Sequence, residues 1–258
     1  MRLPAARPSL FLATLLALVA VGASAAPKDA DIYAAAVARP ERSAEDRTRD
    51  ATDHPADVLR LSSIKPGMQV ADFLAADGYY SELLSTIVGP KGHVLLLNNP
   101  PYDKFVSNAW EKRISDHHLA NVEHRTIDMA HLGLTNASLD AIVMVKVYHD
   151  LYWVAPEFNW PKIDAPAVLD QLARALKPGG TVLVVDHAAK AGTGSSVAGE
   201  LHRIDEAFAR QQFEAHGFEF VRSSDLLRKP EDARDQLTFK GPMVGKTDRF
   251  IYLFRKRR

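Results

Sequence analysis

The residues best suited to chemistry are histidines set beside aspartates. His149-Asp150 ends one apolar run (residues 140–145), Asp186-His187 ends another (residues 181–185), and His202 stands three residues before Asp205. Imidazole gains and loses a proton near neutral pH, and an adjacent carboxylate orients it. The pattern therefore predicts proton transfer, with His149 or His187 taking a proton from a substrate hydroxyl or amine. The expected catalytic set is His149, Asp150, His187 and His202. His and Asp side chains also suit zinc or iron, but no His-Glu-x-x-His or similar spacing supports a metal site, and none is assigned. Tyr148, Tyr152, Trp153, Phe158 and Trp160 crowd the following loop. They could face an apolar substrate or pin the loop to the core. Asp116-His117-His118 reads as surface.

Positioning these groups requires strands that end where they stand. Residues 70–73 read as a buried strand, 74–78 as a tight loop, and the next segment as an amphipathic helix with apolar residues at Tyr80, Leu83, Leu84, Ile87 and Val88. A strand, a short loop and a helix N-terminus place a ligand beyond the strand's carboxyl end. Asp72 can pair there with a cationic group. Further strands are expected at 93–97, ending at Asn98, at 122–127, ending at Asp128, and at 140–145, 181–185, 218–222 and 249–254. Helices are expected at 103–119, from the Asp164 cap, and at 200–216. Strands alternating with helices mean an α/β fold with a parallel sheet. The last two strands lack a clear helix between them, which makes the final one antiparallel.

The ends of the chain carry less. Arg2 and Arg7, an apolar stretch at 10–21 and Ala23-Ser24-Ala25 fit a cleaved signal peptide over residues 1–25. The apolar run is short for a membrane span, so export to a periplasm without stable membrane insertion is expected. Residues 26–54 read as a helical extension whose arginines (Arg42, Arg47, Arg49) and acids form a solvated face. Asp53 reads as the cap of the next helix, and residues 55–258 form the main domain. Basic and acidic residues balance at 32 each, which gives no electrostatic footprint for nucleic acid. The chain has no cysteine, so disulfides, lipid attachment through cysteine and thiolate chemistry are excluded.

The stretch Asp72-Phe73-Leu74-Ala75-Ala76-Asp77-Gly78 resembles the first motif of class I S-adenosylmethionine-dependent methyltransferases, an Asp followed by three alternate glycines. Asp72 and Gly78 match, while Leu74 and Ala76 replace the other two glycines. The Leu176-Lys177-Pro178-Gly179-Gly180 turn adds to the likeness. The strings GYYSELL, KVYHDLYW, DHAAKAGTG, LHRIDE and GKTDRF resemble a group of exported bacterial methyltransferases. The resemblance implies a Rossmann-like, doubly wound sheet of seven strands, mostly parallel with an antiparallel last strand. It implies S-adenosylmethionine as cofactor and a small-molecule substrate. Asp72, Ala76 and Gly78 would hold the methionine part, Asn98 the ribose, and Asp128 the adenine. Two alternatives are a ligand-binding protein with a degraded cofactor loop and a metal-dependent enzyme using the His/Asp cleft.

Overall fold

The computed structural model describes residues 31–258, so the expected signal peptide and its cleavage site lie outside the described residues. Three helices come first: α1 (Ile32–Val37), α2 (Ala44–Asp53) and α3 (Pro55–Ser62). Then follow β1 (Gln69–Phe73), α4 (Tyr79–Val88), β2 (His93–Asn98), α5 (Pro100–Phe105), α6 (Ala109–Asp116), β3 (Val122–Thr126) and β4 (Leu139–Val145). The second half holds α7 (Ala165–Ala175), β5 (Leu176–His187), α8 (Ala198–Leu201), α9 (Glu206–Ala215), β6 (Phe218–Ser224) and β7 (Arg249–Lys256).

One seven-stranded sheet runs in the order β3-β2-β1-β4-β5-β7-β6. The first five strands are mutually parallel, and β7 runs antiparallel to both β5 and β6. β2 and β3 extend to one side of β1, β4 and β5 to the other. The carboxyl ends of β1 and β4 therefore flank the switch point, where an open α/β sheet leaves room for a ligand. Alternation along each strand divides the core. On β5, Leu183 and Val185 pack with Val58, Leu59, Leu83 and Leu84 on one face, while Val182 and Val184 meet Leu169, Leu172 and Phe213 on the other.

Several expected elements differ. The helix at 103–119 is two helices, because Ser107 and Asn108 take left-handed backbone between them. The helix at 200–216 is also broken: His202 has φ 50°, and Asp205 caps α9 by accepting from Ala207 N. His202 and Asp205 thus do not share a helix face. Apolar periodicity cannot register one left-handed residue inside a run. Asp53 is the last residue of α2 rather than a cap of α3, since His54 turns left-handed between them. The arginines of the extension are not all solvated. Arg42 is buried and pairs with Asp50, and Arg49 pairs with Asp53, because α2 lies against the carboxyl edge of the sheet.

Candidate active site

At the end of β1 three alternate residues take the left-handed backbone that favours glycine, though only one of them is glycine. Leu74, Ala76 and Gly78 all have positive φ, at 53°, 55° and 83°. Left-handed backbone costs a residue with a Cβ roughly 1 kcal/mol, so the surroundings must hold the turn. Asn98 does so with its amide: Oδ1 accepts from Ala76 N and Nδ2 donates to Ala76 O, each at 2.9 Å. Arg113 braces the other side, donating to the Asp77 carbonyl and carboxylate at 2.8 Å. Glycine is required at Gly78 for space as well as φ, since a Cβ there would lie 2.9 Å from Leu96 Cδ1. Leu74 is buried with the core cluster on the α7 face.

Asp72 is buried on the α4 side, where Ser81 Oγ donates to it at 2.7 Å. Burial pushes its pKa up to about 7 against the lowering pull of the Ser81 hydroxyl, and Asp77 adds to the rise. A buried carboxylate with one hydroxyl partner is underpaired, and an ammonium group would satisfy it. Above this edge α2 supplies a second set of charges. Asp53 accepts from Arg49 (2.9 Å), Lys146 (2.8 Å) and Arg249 (2.5 Å). Burial opposes its charge, but the three cations outweigh that and hold its pKa far below the carboxylate range. Lys146 is lowered to about 8, chiefly by burial, with Asp53 resisting.

The second cluster lies where β4 and β5 end. His149 Nδ1 is 2.7 Å from Asp186 Oδ1, and its backbone N–H donates to Asp186 Oδ2 at 2.8 Å. Its Nε2 is 3.3 Å from His202 Nδ1 and 3.3 Å from Asp150 Oδ1. His202 Nδ1 is 3.5 Å from Asp150 Oδ1, and Tyr102 donates to the other Asp150 oxygen at 2.9 Å. Burial lowers the affinity of His149 for a proton, but Asp186 and Asp150 outweigh it and raise the pKa to about 9. The site is one that stabilises positive charge.

The structure thus gathers His149, Asp150 and His202 and turns His187 elsewhere. His187 Nδ1 meets Thr247 Oγ1 at 2.8 Å, and burial keeps its ring neutral by pushing its pKa well down. Successive strand residues point to opposite faces, so Asp186 and His187 cannot both enter one cleft; Asp186 does. Of the loop aromatics, Tyr148 and Trp160 are buried, while Trp153 lies tilted beside His202 (5.1 Å between centroids) and Phe158 is 62% exposed. Phe239, from the connection before β7, meets His202 at 4.7 Å; sequence spacing gives no sign of it. Asn98 faces the loop and Asp103, and Asp128 is exposed and accepts from Ala130 N. Arg203 is fully buried and paired with Asp232. His117 Nδ1 lies 2.8 Å from buried Glu82, so this histidine belongs to a packed network rather than open surface.

Comparison with known proteins bears on this arrangement. Residues 76–184 match the methyltransferase domain family. The match covers less than half of the chain. Its fold is that of the class I S-adenosylmethionine-dependent enzymes: a methyltransferase from Aquifex aeolicus superposes with a TM-score of 0.56 at 23% identity, covering 78% of this chain and 88% of that one. The [4+2]-cyclase SpnF superposes equally well, with a TM-score of 0.57 at 15% identity and 85% of each chain covered. An arsenite methyltransferase of Halobacterium salinarum is 29% identical over 126 residues, 49% of this chain. The match spans 29% of that protein's length. S-adenosylmethionine is the cofactor that the methyltransferase domain and its relatives indicate. Asp72, underpaired and buried at the left-handed loop, fits the cofactor's methionine end; Asn98 is already engaged by the loop.

Proposed function

We propose that this chain is an S-adenosylmethionine-dependent methyltransferase of a small molecule, acting after export from the cytoplasm. The observation that carries the reading is the pairing of two sites at one switch point: the underpaired Asp72 and left-handed loop at the end of β1, and the His149 cluster after β4. The cofactor would supply an electrophilic methyl group. Asp72 would pair with its ammonium, and the Leu74–Gly78 backbone would shape the space beside it. Asp186 fixes the His149 ring so that Nε2 faces the acceptor side. There His149 in its neutral form takes the acceptor's proton and passes it through the partly open His202 toward solvent; with a pKa of about 9, this base gains as pH rises toward 9.

The rim describes the acceptor. Trp153 and Phe239 flank His202, Phe158 lies beside Trp153, and Phe239 is 50% exposed. An acceptor with an apolar body and a dissociable N–H or O–H fits such a rim. A thiophilic metalloid would find no thiolate in this chain. Calorimetric titration of the purified protein with S-adenosylmethionine and S-adenosylhomocysteine tests the reading, with micromolar binding expected. Lack of binding to both at millimolar concentration would overturn it. A reporter fused after residues 1–25 tests export, and cytoplasmic retention would refute that part.

A further inference from the structure

Three ligand-type atoms of the His149 cluster stand at nearly equal separations: His149 Nε2 to His202 Nδ1 3.3 Å, His149 Nε2 to Asp150 Oδ1 3.3 Å, and His202 Nδ1 to Asp150 Oδ1 3.5 Å. Zinc bonds of ~2.0–2.1 Å at tetrahedral angles separate neighbouring ligand atoms by ~3.3–3.4 Å. Octahedral bonds of similar length would bring them to ~2.9 Å. The observed triangle matches the first geometry. A point ~2.0–2.1 Å from all three atoms lies ~0.6 Å out of their plane, close to where the apex of a tetrahedral site would be.

The surroundings agree. Metal-bound histidines characteristically give their other ring nitrogen to a carboxylate, which fixes the tautomer. Asp186 holds His149 Nδ1 in this way at 2.7 Å, leaving the Nε2 lone pair for a ligand bond. Tyr102 donates to the second oxygen of Asp150, so the first is free to bind. His149 and Asp150 are buried and held by neighbours, while His202 is partly exposed and opens the cluster on one side.

We propose that His149, Asp150 and His202 form a three-ligand binding site for a zinc-type divalent cation, with Asp186 as its positioning residue and a fourth position left open. Three protein ligands with an open position is the pattern of a catalytic rather than a structural zinc. The binding site stands whether or not methyl is transferred; its catalytic consequence rests on the reading above. With the cation bound, Nε2 is a ligand and no longer accepts a proton. An acceptor hydroxyl at the open position would instead release its proton to solvent, on the side that the partly exposed His202 leaves open, because the cation lowers its pKa.

The test uses the purified full-length protein and Zn²⁺ alone, with metal content by mass spectrometry and affinity by competition with a chromophoric chelator. One equivalent of zinc is expected, weakened ~100-fold or more by His202→Ala and by Asp150→Ala, and ~10–100-fold by Asp186→Asn. His187→Gln should leave the affinity unchanged. Cobalt-loaded protein should show the intense visible bands of a four-coordinate site. Substoichiometric zinc, wild-type affinity in His202→Ala, or weak six-coordinate cobalt bands would each overturn the proposal. Should Asp150→Ala fail to fold on losing its Tyr102 bond, the partly exposed His202 carries the test alone. Calorimetry with S-adenosylmethionine on the same samples separates the claims. Cofactor binding without zinc sinks only the metal site, and zinc without cofactor binding sinks only methyl transfer.

Discussion

The two halves of the carboxyl edge build their geometry in opposite ways. Over β1, the residue types depart from the family motif, yet the backbone keeps its shape. Leu74 and Ala76 hold left-handed angles because Asn98 and Arg113 clamp the loop from outside. Over β4 and β5, the residue types are those a chemist would choose, but they converge only through the break at His202 and the pleat at Asp186. A loop can keep its geometry after losing its signature, whereas a side-chain cluster has no geometry until the chain has folded.

The largest expected effect breaks the second half without touching the first. His149→Ala should slow methyl transfer ~10²–10⁴-fold in single-turnover assays. Cofactor affinity, measured by calorimetry, should change little. A matching loss of affinity would mean that the two regions are one site rather than two.

The clasp joining them comes next. Asp53→Ala leaves Lys146 and Arg249 facing each other without their shared carboxylate. Breaking a buried pair in this way should cost about 3–5 kcal/mol in urea unfolding. A loss below 1 kcal/mol would show that water already reaches these charges.

Asp72→Asn sharpens the first half through pH. The folded pKa of Asp72, about 7, is above its ordinary value. Burying the charged form therefore costs stability above pH 7, and that cost disappears as pH falls below the unfolded pKa. The groups facing this carboxyl are Ser81, Asp77 and Arg49. At pH 8 the variant should be more stable by on the order of 3 kcal/mol while binding the cofactor ~10–100-fold more weakly. In the parent, cofactor affinity should fall as pH drops through 7, and Asp72→Asn should remove that dependence. Equal stability of the two proteins at pH 8 would contradict the buried charge.

The smallest effect concerns the loop itself. Ala76→Gly removes a Cβ at φ 55° from a half-buried position and should stabilise the protein by ~0.5–1 kcal/mol in thermal unfolding. Leu74→Gly should do the reverse, because Leu74 is 2% exposed and its core packing outweighs the relieved strain. If Leu74→Gly were instead stabilising, the side chain would not be part of the core.

The order of strands and helices was legible because periodicity and turn residues report it locally. The apolar run at 93–97 fits a strand buried on both faces of a parallel sheet, and the structure places β2 there. What failed was each inference that needed to know a neighbour. Asp53 looked like a cap because a proline follows soon after it. Besides the nearby Arg49, its partners Lys146 and Arg249 lie 93 and 196 residues away in the chain. The buried pairing of Arg203 likewise reaches a carboxylate, Asp232, 29 residues away.

By itself, the sequence determined the α/β alternation, the antiparallel last strand, the missing thiolates and the place of the His/Asp pairs at the strand ends. These follow from hydrophobic period and residue type, which act over a few neighbours. Only the tertiary structure decided that Asp186 rather than His187 serves His149, that His202 turns back at a left-handed break, and that α2 clasps the sheet edge. Those outcomes depend on ångström-scale approach between residues far apart in the chain, and they are fixed only when the packed core brings those residues together.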